Sequence, residues 1–161
     1  IIDKLPLNFK WIGFIVKAFP EAKILHLNRN PMAVCWSNYK INFRDAGMEF
    51  TLSQEDLAEY YALYNEIMNY WINSFEKNII NISYENFVLD YEKNSKIIIN
   101  ELDLNWENDI KKYKEIDKPV ETASLHQVRG EIKKNTSDQW KSYERYLSKL
   151  QEILISKKIN F

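Results

Sequence analysis

Arg29 has the position best suited to chemistry in this sequence, because it joins a predicted strand to a predicted helix. Apolar alternation over residues 22–27 predicts a short buried strand, and Pro31, whose φ suits a first helical turn, predicts a helix over 31–43. Open α/β sheets bind ligands at the carboxyl ends of their strands, where the next helix offers free N–H groups. A guanidinium at this place is suited to binding a phosphate or a sulfate.

Ser37 follows Arg29 by eight residues and lies roughly two turns into the predicted helix. Its hydroxyl is placed to reach the anion that Arg29 would bind, although a surface arginine and an ordinary helix serine would show the same spacing. Lys4, in an extended entry segment, is a candidate contact for an anionic leaving group, but most lysines are simply solvated.

Further candidates lie later in the chain. Tyr84 stands at a predicted strand-to-helix junction, where it would either stack on a ligand or pack in the core. Ser124, Gln127 and Arg129 offer a hydroxyl, an amide and a guanidinium within six positions of an irregular segment. That set suits a loop that folds over a phosphate, and an ordinary polar loop remains the alternative.

Charge and cysteine content limit the partners. The 161 residues contain 22 Lys plus Arg and 23 Asp plus Glu, a net charge of -1, so the overall field favours neither nucleic acid nor an anionic membrane. Cys35 is the single cysteine and cannot form an internal disulfide, and the sequence shows no metal-ligand pattern and no long apolar span. We therefore expect a cytoplasmic protein without a metal, whose anion site is local.

The glycines argue against a complete nucleotide site. Gly13, Gly47 and Gly130 are the three glycines, and they stand far apart. A loop that surrounds a phosphate with backbone N–H groups needs clustered glycines. Either this protein does not act on nucleotides, or it is part of an enzyme whose front end is missing.

The order of predicted elements favours an α/β fold with a parallel sheet flanked by helices. Ser53 with Asp56 predicts the cap of the longest helix, and His26, inside the first strand, is predicted to be structural. The remaining predictions are a helix over 9–19 capped by Asn8, the long helix over 54–77, a strand over 79–83, a helix from Tyr84 to about Leu102, a short helix near 106–113 and a last helix from about Ser137.

Five segments, in this order along the chain, resemble the sulfotransferase family. They are DKLPLNF at 3–9, FPEAKILHLNRNPMAVCWSNY at 19–39, ISYENFVLD at 82–90, TASLHQVRGEI at 122–132 and WKSYERYL at 140–147. Within the family, the chain resembles bacterial sulfotransferase domains similar to tyrosylprotein sulfotransferases, including those attached to tetratricopeptide repeats. The resemblance implies a P-loop NTPase-like fold and 3′-phosphoadenosine 5′-phosphosulfate (PAPS) as the sulfuryl donor.

The resemblance also implies roles for the candidates. Arg29 and Ser37 match the pair that binds the 3′-phosphate of the donor, and Tyr84 matches a nucleotide contact. Ser124 matches a serine that binds the donor and stabilises the transition state, with Gln127 and Arg129 continuing that loop, and Lys4 matches the lysine near the bridging oxygen. The family has two further basic positions. Lys40 matches the first only approximately, and the uncharged Gln139 replaces the basic residue at the second.

The sequence therefore predicts that residues 1–161 are the C-terminal part of one sulfotransferase domain, without the loop that binds the 5′-phosphosulfate and without the catalytic base. We expect this part to bind the product nucleotide weakly and to transfer little or no sulfuryl group to an acceptor hydroxyl, whose identity stays open. A sheet that lacks strands on one side exposes an unpaired strand edge, so a homodimer is also expected. The alternatives are a non-catalytic nucleotide or anion receptor and a helical interaction protein.

Overall fold

The computed structural model describes residues 2–43, 46–107 and 134–161. These residues form two compact units, the first from residues 1–83 and 135–161 and the second from residues 84–134. The described chain is a mixture of helices with a small parallel sheet, which agrees with the predicted α/β class. In the part of the chain that the structure describes, no helix combines the length and apolar character needed to cross a membrane.

The first unit begins with a 3₁₀ helix, η1 (Pro6–Trp11), which continues into the helix α1 (Ile12–Ala18). The prediction of one helix capped by Asn8 is wrong. Pro6 starts the first turn earlier, and the side-chain amide of Asn8, inside η1, donates to the Asp3 carboxylate instead of capping. Pro20 follows the end of α1, as expected for a residue without an N–H group.

The sheet consists of the strands β1 (Ile24–Asn28) and β2 (Ile79–Ser83). They are parallel, in a register that pairs Ile24 with Ile79 and Asn28 with Ser83. The prediction for the second strand is confirmed, and the first strand begins two residues later than predicted. One expectation fails within the described residues: Leu25 and Leu27 are 47% and 53% exposed, so β1 is covered on one face only.

Three helices of different lengths follow β1. The helix α2 (Pro31–Tyr39) ends before the predicted residue 43, whereas the short 3₁₀ helix η2 (Glu49–Leu52) lies in a stretch predicted to be a loop. The long helix α3 (Gln54–Ser74) begins as predicted, because the Ser53 hydroxyl accepts a hydrogen bond of 3.2 Å from the Asp56 N–H. It ends three residues earlier than predicted.

The C-terminal segment of the first unit also differs from its prediction. In place of one helix, the structure has a 3₁₀ helix of 11 residues, η3 (Thr136–Tyr146), and then the helix α6 (Ser148–Ser156). The side-chain amide of Gln54 joins them: its Nε2 donates to the Tyr146 carbonyl at 2.8 Å, and its Oε1 accepts from the Leu150 N–H at 3.2 Å. A side chain from α3 therefore caps α6, which has no side-chain cap of its own.

The first unit has two apolar clusters. One packs α2, α3, η3 and α6 together, and the other packs α1 and α3 against the covered face of the sheet. The first consists of Met32, Ala33, Cys35, Leu57, Ala58, Tyr61, Trp140, Leu147, Leu150, Leu154 and Ile159, and the second of Ile12, Val16, Met68 and Ile79.

The described part of the second unit contains the helices α4 (Tyr84–Leu89) and α5 (Tyr91–Glu101). The prediction of a single helix from Tyr84 is wrong, because the backbone of Asp90 is not helical and its side chain accepts from the Lys93 N–H at 3.1 Å. An aspartate cap thus starts a new helix at the point where the apolar pattern continues. The predicted short helix near 106–113 falls mostly outside the described residues.

Candidate functional site

The connection between β1 and α2 places Arg29 directly after the last residue of the strand. Asn30 is the N-cap of α2, and its side-chain oxygen accepts from the Ala33 N–H at 3.0 Å. Pro31 occupies the first helical position, where its missing N–H costs nothing. The predicted strand–Arg–Asn–Pro–helix connection is therefore present, with Arg29 at the carboxyl end of a parallel strand.

The guanidinium of Arg29 contacts the C-terminal segment of the chain. Its Nε–H donates to the hydroxyl of Ser137, with a distance of 3.1 Å between Nε and Oγ, across 108 positions of sequence. Ser137 is buried near the start of η3, and Arg29 itself is half-buried. Arg29 is thus partly exposed, and its Nε–H is bonded to a buried hydroxyl.

Ser37 lies on α2, in the helix that begins after Arg29. It stands seven residues after the cap Asn30, so it shares a helix face with Asn30, and it is about 9 Å along the axis from Pro31. The residue is half-buried, and its hydroxyl makes no side-chain hydrogen bond to the described residues. Arg29 and Ser37 together offer guanidinium and hydroxyl donors, the donor types that bind a phosphate.

The other predicted site residues lie elsewhere in the chain and differ in their exposure to solvent. Lys4 lies in the extended segment before η1 and is exposed. Tyr84 is the first residue of α4, in the second unit, and is half-buried. Ser124, Gln127 and Arg129 lie outside the described residues, so their predicted roles stay predictions.

His26 lies inside β1, as predicted, and it has a structural environment. Its Nδ1 meets the side-chain oxygen of Asn81, the residue paired with it on β2, and its Nε2 meets the hydroxyl of Tyr64 on α3. Because an amide oxygen can only accept, Nδ1 carries the proton and Nε2 accepts from Tyr64. Burial lowers the pKa of His26, against the opposing effect of the Asn81 hydrogen bond, and burial raises the pKa of Tyr64 to about 12. Both groups are neutral near pH 7.

Cys35 is fully buried in α2, and burial raises the pKa of its thiol to about 12. Since the thiolate is the reactive form, Cys35 is a core residue and no nucleophile. In residues 2–43, 46–107 and 134–161, no three His, Cys, Asp or Glu side chains lie close enough together to bind a metal ion.

Ser137 is the residue at this site that the sequence did not indicate. Its position near the predicted start of a helix resembles an ordinary cap, and no local pattern relates it to a residue 108 positions earlier. The sequence did indicate that Trp140, three residues after Ser137, is buried, because Trp140 belongs to the apolar stripe of the last predicted helix. The burial of that stripe against α2 is what brings the beginning of η3 to Arg29.

Comparison with known proteins identifies the family of this chain. The model of the sulfotransferase family matches residues 1–108 of the 161 residues, which include β1, Arg29, α2 and Ser37. A protein of Aquifex aeolicus (strain VF5), which carries the name "Uncharacterized protein", is 34% identical over 156 residues, or 96% of this chain. The chain spans 20% of the length of that relative.

Proposed function

Because the chain belongs to the sulfotransferase family, we propose that it contributes the donor-binding part of an enzyme that moves a sulfuryl group from PAPS to an acceptor hydroxyl. In this proposal residues 1–161 are the C-terminal part of one sulfotransferase domain with a P-loop NTPase-like fold. The reaction breaks the bond between sulfur and the phosphate oxygen of PAPS and forms a bond between sulfur and the acceptor oxygen. The products are a sulfate ester and 3′,5′-adenosine bisphosphate, and the proton of the hydroxyl passes to a base.

The observation that carries the proposal is the setting of Arg29. Its guanidinium follows a parallel strand, precedes a capped helix and is bonded to a buried hydroxyl at 3.1 Å. A guanidinium in such a place binds a phosphate through paired N–H donors. Ser37, on the same helix, would add a hydroxyl to the same 3′-phosphate.

The remaining roles follow from family resemblance. Tyr84 would contact the nucleotide, and Ser124, Gln127 and Arg129 would form the loop around the donor. Lys4 would approach the oxygen that bridges sulfur and phosphorus, where negative charge develops as the bond breaks. Ser124 would stabilise the same transition state, which depends on positioning and on cationic or N–H donors, as phosphoryl transfer does.

Residues 1–161 do not supply every part of this chemistry. Their three glycines, Gly13, Gly47 and Gly130, are too far apart to form a loop that surrounds the 5′-phosphosulfate. The proposal assigns that loop and the catalytic base to another segment of the domain. We therefore expect residues 1–161 to bind nucleotide and to transfer little or no sulfuryl group alone.

A calorimetric titration with 3′,5′-adenosine bisphosphate tests the donor site. The Arg29→Ala variant should bind about 10-fold to 100-fold more weakly than the wild type, because it loses a charge-assisted contact. Arg145→Ala is the matched control, since Arg145 is exposed near the end of η3, roughly 16 Å along that helix from Ser137, and its loss removes the same charge. Equal affinity of the wild type and Arg29→Ala would contradict the proposed site.

The same titration separates the alternatives. If the wild type gives no saturable heat, a helical interaction protein becomes the better interpretation. If it binds nucleotide but no sulfuryl group moves once a longer chain supplies the loop and the base, the protein is a nucleotide receptor. A mass-spectrometric screen of tyrosine, sugar and lipid hydroxyls with that longer chain would identify the acceptor class, and light scattering would test the expected homodimer.

A further inference from the structure

Arg29 has a hydrogen-bond partner near the C-terminal end of the sequence, the hydroxyl of Ser137. Ser137 is 9% exposed, and its Oγ accepts from the Nε of Arg29 at 3.1 Å. The residue lies outside the 1–108 region that the family model matches. A polar side chain buried at this place therefore requires an explanation from the structure itself.

The position of Ser137 is set by the packing of η3. In a 3₁₀ helix, residues three apart lie on one face, so Ser137 and Trp140 face the same way. Trp140 is 5% exposed, in the apolar cluster that also contains Met32 and Cys35 of α2. Its ring holds η3 against α2 on the side where Arg29 begins the connection.

The opposite end of η3 is also restrained. The amide of Gln54 donates to the carbonyl of Tyr146, the last residue of η3, at 2.8 Å. Leu147, directly after it, is 1% exposed in the same apolar cluster. With both ends attached to the core, η3 presents the Ser137 hydroxyl at a defined point.

We infer that Ser137 is a positioning residue for the donor site, which orients the guanidinium of Arg29 toward the 3′-phosphate without contacting the nucleotide. This inference rests on the proposed function. A guanidinium has five N–H donors, and the bond to Ser137 uses the one on Nε. In this inference, fixing Nε sets the plane of the guanidinium, and the Nη donors would contact the anion at the end of β1.

The benefit is preorganisation. An arginine side chain has many rotamers, and an anion that binds a mobile one must also immobilise it. The Ser137 hydroxyl removes part of that cost before the nucleotide arrives. A purely structural role, in which the bond only attaches η3 to the β1–α2 connection, would change stability but would not couple Ser137 to Arg29 in nucleotide affinity.

A double-mutant cycle with 3′,5′-adenosine bisphosphate separates the two roles. Ser137→Ala should weaken binding about 2-fold to 10-fold, the equivalent of one rotamer-rich side chain left free. In the Arg29→Ala background the same change should have no further effect. Ser137→Thr keeps the hydroxyl and should restore most of the affinity, while Ser148→Ala, at an exposed position of α6, should leave it unchanged.

Nuclear magnetic resonance of the arginine Nε–H groups adds a readout that does not need the nucleotide. Proton exchange of the Arg29 Nε–H with water should be slow in the wild type, faster in Ser137→Ala and slow again in Ser137→Thr. If the wild type binds and Arg29→Ala does not, but Ser137→Ala binds like the wild type, the inference is overturned and the proposed function stands. An equal loss from Ser137→Ala in both backgrounds also overturns it, and no binding by the wild type overturns the proposed function itself.

Discussion

Two basic residues near the end of β1, His26 and Arg29, differ in charge at neutral pH. His26 is neutral near pH 7 because its partial burial between the sheet and α3 lowers its pKa, although the hydrogen bond to Asn81 opposes this effect. Arg29, three residues later, is half-buried and keeps its charge next to a hydroxyl. Arginine is charged at any pH at which proteins fold, whereas partial burial of the His26 ring disfavours its charged form.

The burial of His26 predicts a pH dependence of stability. Its pKa is lower in the folded protein than the ordinary value of about 6.5 in the unfolded chain, so below that pH the unfolded state binds more protons. The free energy of unfolding should fall as the pH drops from about 6.5 toward the folded pKa, by at most ~1.4 kcal/mol per pH unit from this group. Urea denaturation at pH 7 and pH 5 measures the fall.

The variant His26→Gln removes this titration. Its absolute stability will be lower, because the contact with Asn81 or Tyr64 is disturbed, but its loss between pH 7 and pH 5 should be smaller than that of the wild type. The other histidine of the chain, His126, is present in both proteins, so its contribution cancels in the comparison. An unchanged pH dependence in the variant would mean that His26 does not contribute.

At the scale of elements, Gly13 allows α1 to pack closely against Trp71 of α3. The ring of Trp71 lies over this glycine, and the indole N–H of Trp71 donates to the carbonyl of Phe9 at 2.9 Å. The ring also stacks on Phe75, with 5.6 Å between the centroids. Hydrogen bonding on one side and packing on the other leave the indole little freedom to move.

We predict that Gly13→Ala destabilises the protein. The new Cβ would lie 2.7 Å from Cη2 and 2.9 Å from Cζ3 of Trp71, closer than carbon atoms can approach. Helix propensity alone would add about 1 kcal/mol of stability, whereas overpacking costs about 1 to 3 kcal/mol, so the net change should be a loss. Urea denaturation measures it.

The variant Trp71→Phe provides the control for this prediction, because it removes the outer ring atoms that the new Cβ would meet. In that background, Gly13→Ala should cost less or become stabilising, as helix propensity then dominates. A gain in stability from Gly13→Ala in the wild type would show that α1 shifts away from α3 at little cost.

At the scale of the whole molecule, the first unit is completed by residues from both halves of the sequence. Residues 135–161 pack against α2 and α3, and the described part of the second unit comes from the intervening sequence. Besides the apolar cluster, the Gln54 amide joins α3 to η3 and α6. The ion pair between Lys157 and Glu59 also joins α3 to the C-terminal end, but it is exposed and contributes little.

We predict that Gln54→Ala lowers the free energy of unfolding by about 0.5 to 2 kcal/mol, the range for the loss of a helix cap, because two backbone groups lose their partner. Thermal or urea denaturation measures the loss. Gln151→Ala is the matched control: the side chain of Gln151 bonds only to the exposed Glu144, at 3.3 Å, among the described residues, so its loss should cost far less. Equal effects of the two variants would contradict the capping role of Gln54.

Much of the fold could be predicted from the sequence. The two strands, the long helix with its Ser53 cap and the Arg29–Pro31 connection all depend on residues close together in the chain. Apolar period, caps and the fixed φ of proline act over a few residues, so the amino-acid order determines them. The same local patterns carried the resemblance to the sulfotransferase family, which the comparison confirmed over residues 1–108.

Tertiary structure alone decided the surroundings of the candidate site. Ser137 meets Arg29 across 108 positions, and Gln54 caps a helix whose residues lie 96 positions later. The 3₁₀ form of η3 and the exposure of one face of β1 likewise depend on what packs against them. Apolar packing is non-directional, so periodicity shows that a face is buried without showing against which element. Hydrogen bonds between distant residues form only after that packing has placed them.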